Sequence, residues 1–238
     1  MKLDKQTGET VWRSLQDSGG MNGSAFSSPM KATIAGQPQL VVQTRERLAG
    51  VDETTGKELW SQQIEAFRGM NILTPVVFSV AIFTSTYGGK SWLFDLTGTG
   101  NATSSDRKFS VKERWQNKTQ GYMSTPVVID GHAYCHLKNQ RFTCIDLATG
   151  EGRWTTTPFG KYWSLVAQGS RILALDERGD LLLIKANPEK FELLDERHLT
   201  DSPTWAHLAV SDEEVYVRDL KGLTVYRWNS ALTRGVTR

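Results

Sequence analysis

The chain has 238 residues, with 28 lysines and arginines against 26 aspartates and glutamates and 39% hydrophobic residues, the balance of an ordinary globular protein at +2. Its basic residues are scattered rather than blocked, which argues against nucleic acid or an anionic membrane as partner. The longest apolar run, PVVFSVAIF, is too short to span a bilayer, and no basic, apolar, small-residue signal sequence follows Met1.

The first element, LDKQTGETVW from Leu3, is a strand end, an Asp, two variable residues, Thr-Gly, three variable residues and a Trp. Asp4 can accept the backbone N–H groups of the following turn, Thr7 does so more weakly, and Gly8 supplies the positive φ that closes a hairpin. Trp12 then falls on the next strand, where its area can hold one sheet against another. SSPMKA follows, a hydroxyl residue, Pro29 and an apolar strand, and VDETTGKELW repeats the first element with Asp52, Gly56 and Trp60. LTPVVF at Pro75 opens the next unit, whose FDLTGTG carries Asp95 but delays its tryptophan to Trp115, beyond the polar insertion NATSSDRKFS. STPVVID at Pro126 leads to CIDLATGEGRW, with Asp146, Gly150 and Trp154. WSLVAQGSRILALD and IKANPEKFELL form a degraded unit with Ala186 for the Asp and Leu194 for the Trp, and WAHLAVSDEEVYVRD with LTVYRW ends the pattern at Trp228.

The units recur about every 40 to 50 residues, the period of a four-stranded propeller blade, and no segment longer than one turn shows helical periodicity. The expected fold is all-β, one β-propeller domain of four-stranded antiparallel blades. About five blades are present, at 24–62, 70–116, 121–156, 161–198 and 204–228. Residues 1–15 are expected to complete the last of them, since one terminus closing the other's blade removes two exposed edges.

These elements resemble the pyrroloquinoline-quinone-like propeller superfamily, whose blades carry the same D-x-x-T-G-x-x-x-W element and S/T-P-V-V strand. The chain is similar to the bacterial PQQ-binding-like repeat proteins related to the propeller lipoprotein of outer-membrane β-barrel assembly. The resemblance covers essentially the whole chain. It implies seven or eight blades in the parent fold, so this chain is expected to be the C-terminal five-blade part of a longer protein or a true five-blade variant. It also implies a periplasmic or secreted location.

Aligning the innermost strands puts Phe26, Ile72, Met123, Tyr162 and Trp205 at one equivalent position. Ser28, Thr74, Thr125, Ser164 and His207 follow two residues later on the same strand face. With Arg68, Asn71, Tyr122, Lys161 and Trp163 from neighbouring loops they form a candidate funnel mouth, concave and apolar with a few polar groups. The loops between second and third strands add Arg45, Glu46, Arg47, Tyr87, Lys90, Lys138, Arg141, Arg178 and Lys221, rich in residue types that anchor interfaces. Inner-strand packing and a solvated loop surface explain the same residues without any ligand.

Other constellations are weak. The repeated aspartates read as turn braces rather than catalytic bases. His132 and His136 lie about 13 Å apart if both are on one strand, too far to share a metal. His198 reads as a surface residue. If Asn139-Gln140 forms a two-residue turn, Cys135 and Cys144 face one another across strands, leaving buried thiols, a cross-strand bridge and redox chemistry all open.

The expected function is a non-enzymatic, monomeric scaffold, without cofactor, that binds a protein or peptide on the funnel face. One alternative, implied by the resemblance, is a quinone-dependent alcohol or sugar dehydrogenase with pyrroloquinoline quinone and Ca²⁺ in the channel. Another is a pocket for a sugar-like ligand, with Tyr122, Trp163 and Trp205 as stacking platforms.

Overall fold

A computed structural model describes residues 1–16, 25–100 and 107–228. β1 (Lys2–Leu3) and β2 (Thr10–Trp12) form a hairpin. The first complete blade contains β3 (Met30–Ile34), β4 (Gln37–Gln43), β5 (Arg47–Asp52) and β6 (Glu58–Gln63). The second contains β7 (Val76–Phe78), β8 (Ala81–Ser85), β9 (Ser91–Thr99) and β10 (Lys108–Asn117). β11 (Val127–Ile129), β12 (His132–His136), β13 (Arg141–Asp146) and β14 (Gly152–Pro158) make the third. The fourth is β15 (Trp163–Gln168), β16 (Arg171–Asp176), β17 (Asp180–Lys185) and β18 (Glu192–His198). β19 (Ala209–Ser211), β20 (Glu214–Arg218) and β21 (Leu223–Arg227) make a three-stranded fifth. Every pairing is antiparallel and each full blade is built in chain order, so the fold is an all-β propeller.

Middle strands are sandwiched between neighbouring blades and read as near-continuous apolar runs, as in AIFTS of β8, which is buried throughout. Fourth strands lie outermost and take charge instead: β18, ELLDERH, is almost wholly exposed, a composition that blunts a free edge. The hydrophobic core is therefore divided among blade interfaces. Trp60 and Leu48 meet Trp92 and Phe94 between the first and second blades. Phe83 and Leu93 meet Ile145 and Leu147 in the next interface. Tyr134 and Phe142 meet Trp163 and Ile184 in the third, and Leu173 and Leu175 meet Leu208 and Val217 in the last.

Turn chemistry follows the sequence where the repeat is intact. Asp4 Oδ1 accepts the N–H groups of Gln6 and Thr7, Asp52 Oδ1 those of Thr54 and Thr55, and Asp146 Oδ1 those of Ala148 and Thr149. Gly8, Gly56 and Gly150 close these turns at φ between 76° and 79°. Trp12 lies on Gly56 and Trp115 on Gly150, each reaching from the preceding unit onto the turn of the next. Trp154 donates from Nε1 to Asn187 O at 2.8 Å, joining the third blade to the degraded turn of the fourth. Trp60 instead turns inward over Gly50, its Nε1 on Gln39 Oε1 at 2.6 Å.

Three expectations need correction. Asp95 does not brace a turn: it sits inside β9, opposite Lys112, and its carboxylate is held by the Arg114 guanidinium. The insertion lengthens β9 and β10, so the ladder runs past the usual turn position to Thr99 and Lys108, and the rest of the insertion, 101–106, lies outside the described residues.

Cys135 and Cys144 do not face each other. Leu137 pairs with Arg141 around a three-residue loop, Lys138-Asn139-Gln140, closed by Gln140 at φ 68°. One residue more than a two-residue turn shifts the register by one, so Cys135 opposes Thr143 and Cys144 opposes Tyr134. Both thiols are free and buried, Cys135 beside Leu73 and Cys144 among Tyr134, Phe142 and Trp163.

The segment 1–15 is not hydrogen-bonded into the blade of 204–228: β1 and β2 form one sheet, β19 to β21 another. The hairpin packs forward instead, through Trp12 on Gly56 and Lys2 Nζ on Glu53 O at 3.0 Å.

Candidate functional site

In an antiparallel blade, first-to-second and third-to-fourth turns share one face of the ring. The opposite face carries the second-to-third loops and the connections from one blade to the next. On this second face one aromatic per connection converges with one loop aromatic. Phe67 comes from the connection after β6, Tyr87 from the β8–β9 loop, Tyr122 precedes β11, Tyr162 precedes β15 and Trp205 precedes β19.

The rings form a continuous arc over four blade junctions. Phe67 meets Tyr87 edge-on at 5.8 Å between centroids, Tyr87 meets Tyr122 at 5.3 Å, Tyr122 stacks on Tyr162 at 5.8 Å, and Tyr162 meets Trp205 edge-on at 6.1 Å. Three cations lie over their faces. Arg68 Cζ is 5.0 Å from the Phe67 centroid, Lys138 Nζ 4.5 Å from that of Tyr87 and Lys161 Nζ 5.2 Å from that of Tyr162. Burial pushes the Tyr122 hydroxyl pKa up, with neighbouring Tyr162 adding to it, while the hydrogen bond to Tyr162 raises that of Lys161. Both shifts keep Tyr122 neutral and Lys161 charged near pH 7.

The connections are pinned from below. Gly160 N–H donates to Asp176 Oδ2 at 2.6 Å, Trp163 Nε1 to the same oxygen at 2.8 Å and Lys161 N–H to Glu177 Oε1 at 2.7 Å, which fixes the residues on either side of Tyr162. Thr204 Oγ1 donates to Asp176 O at 2.6 Å and positions Trp205. In the first blade Asn71 Nδ2 donates to Thr44 O at 2.6 Å, and Phe26 N–H to Asn71 O at 2.6 Å. Beside Lys138 opens a recess of about 580 Å³, lined by Lys118, Thr119, Gln120, Leu137, Asn139 and Thr155.

The predicted mouth residues separate into three groups. Arg68, Tyr122, Lys161, Tyr162 and Trp205 belong to the arc, with Trp205 61% exposed. Phe26, 62% exposed, and His207, also exposed, stand on the surface outside the arc's ring contacts, and Met123 is half-buried. Trp163 and Asn71 are structural: Trp163 is 3% exposed and stacked on His136, and Asn71 is wholly buried. Trp163 is therefore no stacking platform for a surface ligand. Arg141 is half-buried, its Nη1 on Thr156 O at 2.6 Å.

Part of the hydroxyl row joins neighbouring inner strands. Thr74 Oγ1 accepts Ser28 N–H at 3.2 Å and Ser164 Oγ accepts Leu208 N–H at 3.1 Å. Among the described residues no three His, Cys, Asp or Glu side chains converge as metal ligands. Asn71 donates from its amide nitrogen to Thr44 O, and its Oδ1 is buried without a hydrogen-bond partner among the described residues.

Phe67 and Lys118 escaped the sequence reading. Phe67 stands eight residues before its proline and Tyr122 only four, so unequal connections hid the regularity of one aromatic per junction.

Residues 1–156 match the profile of the family described as outer membrane protein assembly factor BamB. The chain belongs to the BamB family. Among solved structures it is similar to BamB from Moraxella catarrhalis, at 19% identity and a TM-score of 0.67 over 95% of this chain. It spans 66% of that protein's chain. It is also similar to the Cps50 (Swd1) β-propeller domain of Myceliophteria thermophila, at 12% identity and TM-score 0.59 over 94% of this chain and 74% of that one. Hsv2p of Kluyveromyces lactis gives 13% identity and TM-score 0.56 over 84% and 62% respectively. At such identities the structural likenesses establish the propeller fold. No curated protein matches the chain.

Proposed function

We propose that this BamB-family propeller is a non-enzymatic, monomeric scaffold that works without a cofactor. It binds a protein partner through the face bearing the aromatic arc, and serves outer-membrane protein assembly on the periplasmic side. The observation carrying this reading is the arc itself, with its cations and with Trp205 exposed at one end. Aromatic and Arg side chains are the residue types that dominate interface energetics. The family name, which concerns assembly of outer membrane proteins, supplies the setting.

The test is co-purification of tagged chain with envelope proteins of a Gram-negative host, comparing the unaltered protein with Trp205→Ala and Tyr122→Ala. Both variants are expected to keep the fold, by circular dichroism, and to lose the co-purifying protein. Undiminished recovery with both would reject this face.

A further inference from the structure

Several cations elsewhere on the molecule are paired, while others, such as Lys57 and Lys112, make no ion pair among the described residues. Lys31 meets Glu53 at 2.9 Å, Arg153 meets Glu189 at 2.8 Å, Arg227 meets Glu214 at 2.5 Å, and Arg114, Arg197 and Lys185 have acidic partners as well. Arg68, Lys138 and Lys161 make no ion pair among the described residues, each lies over an aromatic face, and all three stand along the one arc. Glu177 is the carboxylate adjacent to Lys161, and it is half-buried with one oxygen on the Lys161 backbone N–H. Lys118 and Lys138 both line the recess beside the arc, and Lys118 also makes no ion pair among the described residues.

Resting on the interaction reading, we infer that the arc receives an extended acidic segment of the partner protein. The four ring-to-ring steps make a path of about 23 Å, the reach of about seven residues of extended chain. Carboxylates at intervals along such a segment meet Arg68, Lys138 and Lys161, and one enters the recess between Lys118 and Lys138. Cations held over aromatic faces lose little side-chain freedom on pairing, which favours ion pairs that free surface lysines make poorly. Occupied ring faces also decide between polyanions. The faces of Phe67, Tyr87 and Tyr162 carry cations, and Tyr122 and Tyr162 cover each other. Exposed rings stand only at the two ends, Phe67 and Trp205, so a run of stacked nucleobases or sugars finds no successive open faces along the arc, whereas carboxylates need only the cations.

The experiment is fluorescence anisotropy of a labelled peptide of about ten residues, alternating Glu and Thr so that it stays extended, titrated with the full chain. Its Gln-Thr counterpart, oligothymidylate and polygalacturonate serve as competing probes. The Glu peptide is expected to bind at least ~10-fold more tightly than the Gln peptide, and to weaken as salt rises from about 50 to about 200 mM. Lys138→Glu and Lys161→Glu are each expected to weaken it by ~10-fold, while Lys57→Glu on the opposite face leaves it unchanged. The inference is overturned by no binding of the Glu peptide, by equal binding of the Gln peptide, by indifference to both lysine reversals, or by tighter binding of either other polyanion. Loss of the co-purifying partner in Trp205→Ala together with equal binding of the two peptides would leave the interaction reading standing and remove the acidic segment alone.

Discussion

Trp115 lies flat against Gly150 of the following blade: a Cβ built on that glycine would stand 2.6 Å from the indole, and Nε1 donates to Leu147 O of the same turn at 2.9 Å. The glycine is needed twice, once for φ 79° and once for the ring above it. Gly150→Ala should therefore cost about 2 to 4 kcal/mol in denaturant unfolding, combining left-handed strain with overpacking. Gly152→Ala, two residues on and with open space at its Cβ, should cost less than about 1 kcal/mol. Equal effects of the two would show that the indole does not need the bare backbone beneath it.

Acid should weaken the interface between the third and fourth blades. His136 is wholly buried and stacked on Trp163 at 5.0 Å, and burial pushes its pKa from 6.5 down to about 4, with the Gly160 backbone and the Asp176 carboxylate pulling the other way. The unfolded chain binds a proton here below pH 6.5 that the folded chain refuses until about pH 4. Stability is thus fully present above pH 6.5 and falls as pH drops through that window, by up to about 3 kcal/mol. His198 acts in the opposite sense, since hydrogen bonds to Asp180 and Asp201 raise its pKa; its contribution is present below 6.5 and lost as pH rises through the raised value. Urea midpoints at pH 7 and pH 5 should differ less in His136→Leu than in the unaltered chain. An unchanged pH slope would mean the histidine is not the sensor.

The two cysteines should be silent in the native protein. Burial pushes the Cys135 thiol up to about 12 and the Cys144 thiol up to about 11, and only the thiolate reacts quickly. A chromogenic disulfide reagent should label neither within minutes at pH 8 and both at once in guanidinium. A disulfide recovered by mass spectrometry from native, air-exposed protein would contradict the register that separates them.

The blade architecture was legible because the repeat is a local statement: Asp52, Thr55 and Gly56 make a turn whatever surrounds them, and Pro29, Pro75 and Pro126 precede the inner strands. Asp95 misled because the same residues can continue a ladder when the hairpin is longer and an Arg lies opposite. The cysteine register turned on one residue of loop length, which Asn139-Gln140 does not announce. At the mouth, Tyr162 and Trp205 aligned with Phe26 by spacing, and two of those three share the arc. Trp163 was misplaced because neighbours in sequence point to opposite sides: Tyr162 faces the arc while Trp163 turns into the core against Asp176.

Site-specific photocrosslinking addresses the interaction face most directly. A benzoylphenylalanine replacing exposed Trp205, and another replacing exposed Lys57 on the opposite face, are irradiated in the envelope of a Gram-negative host. Position 205 should yield a discrete protein adduct that Lys138→Glu diminishes, and position 57 none. Adducts from position 57 alone, or an adduct at 205 indifferent to Lys138→Glu and Tyr122→Ala, would place the partner elsewhere on the propeller.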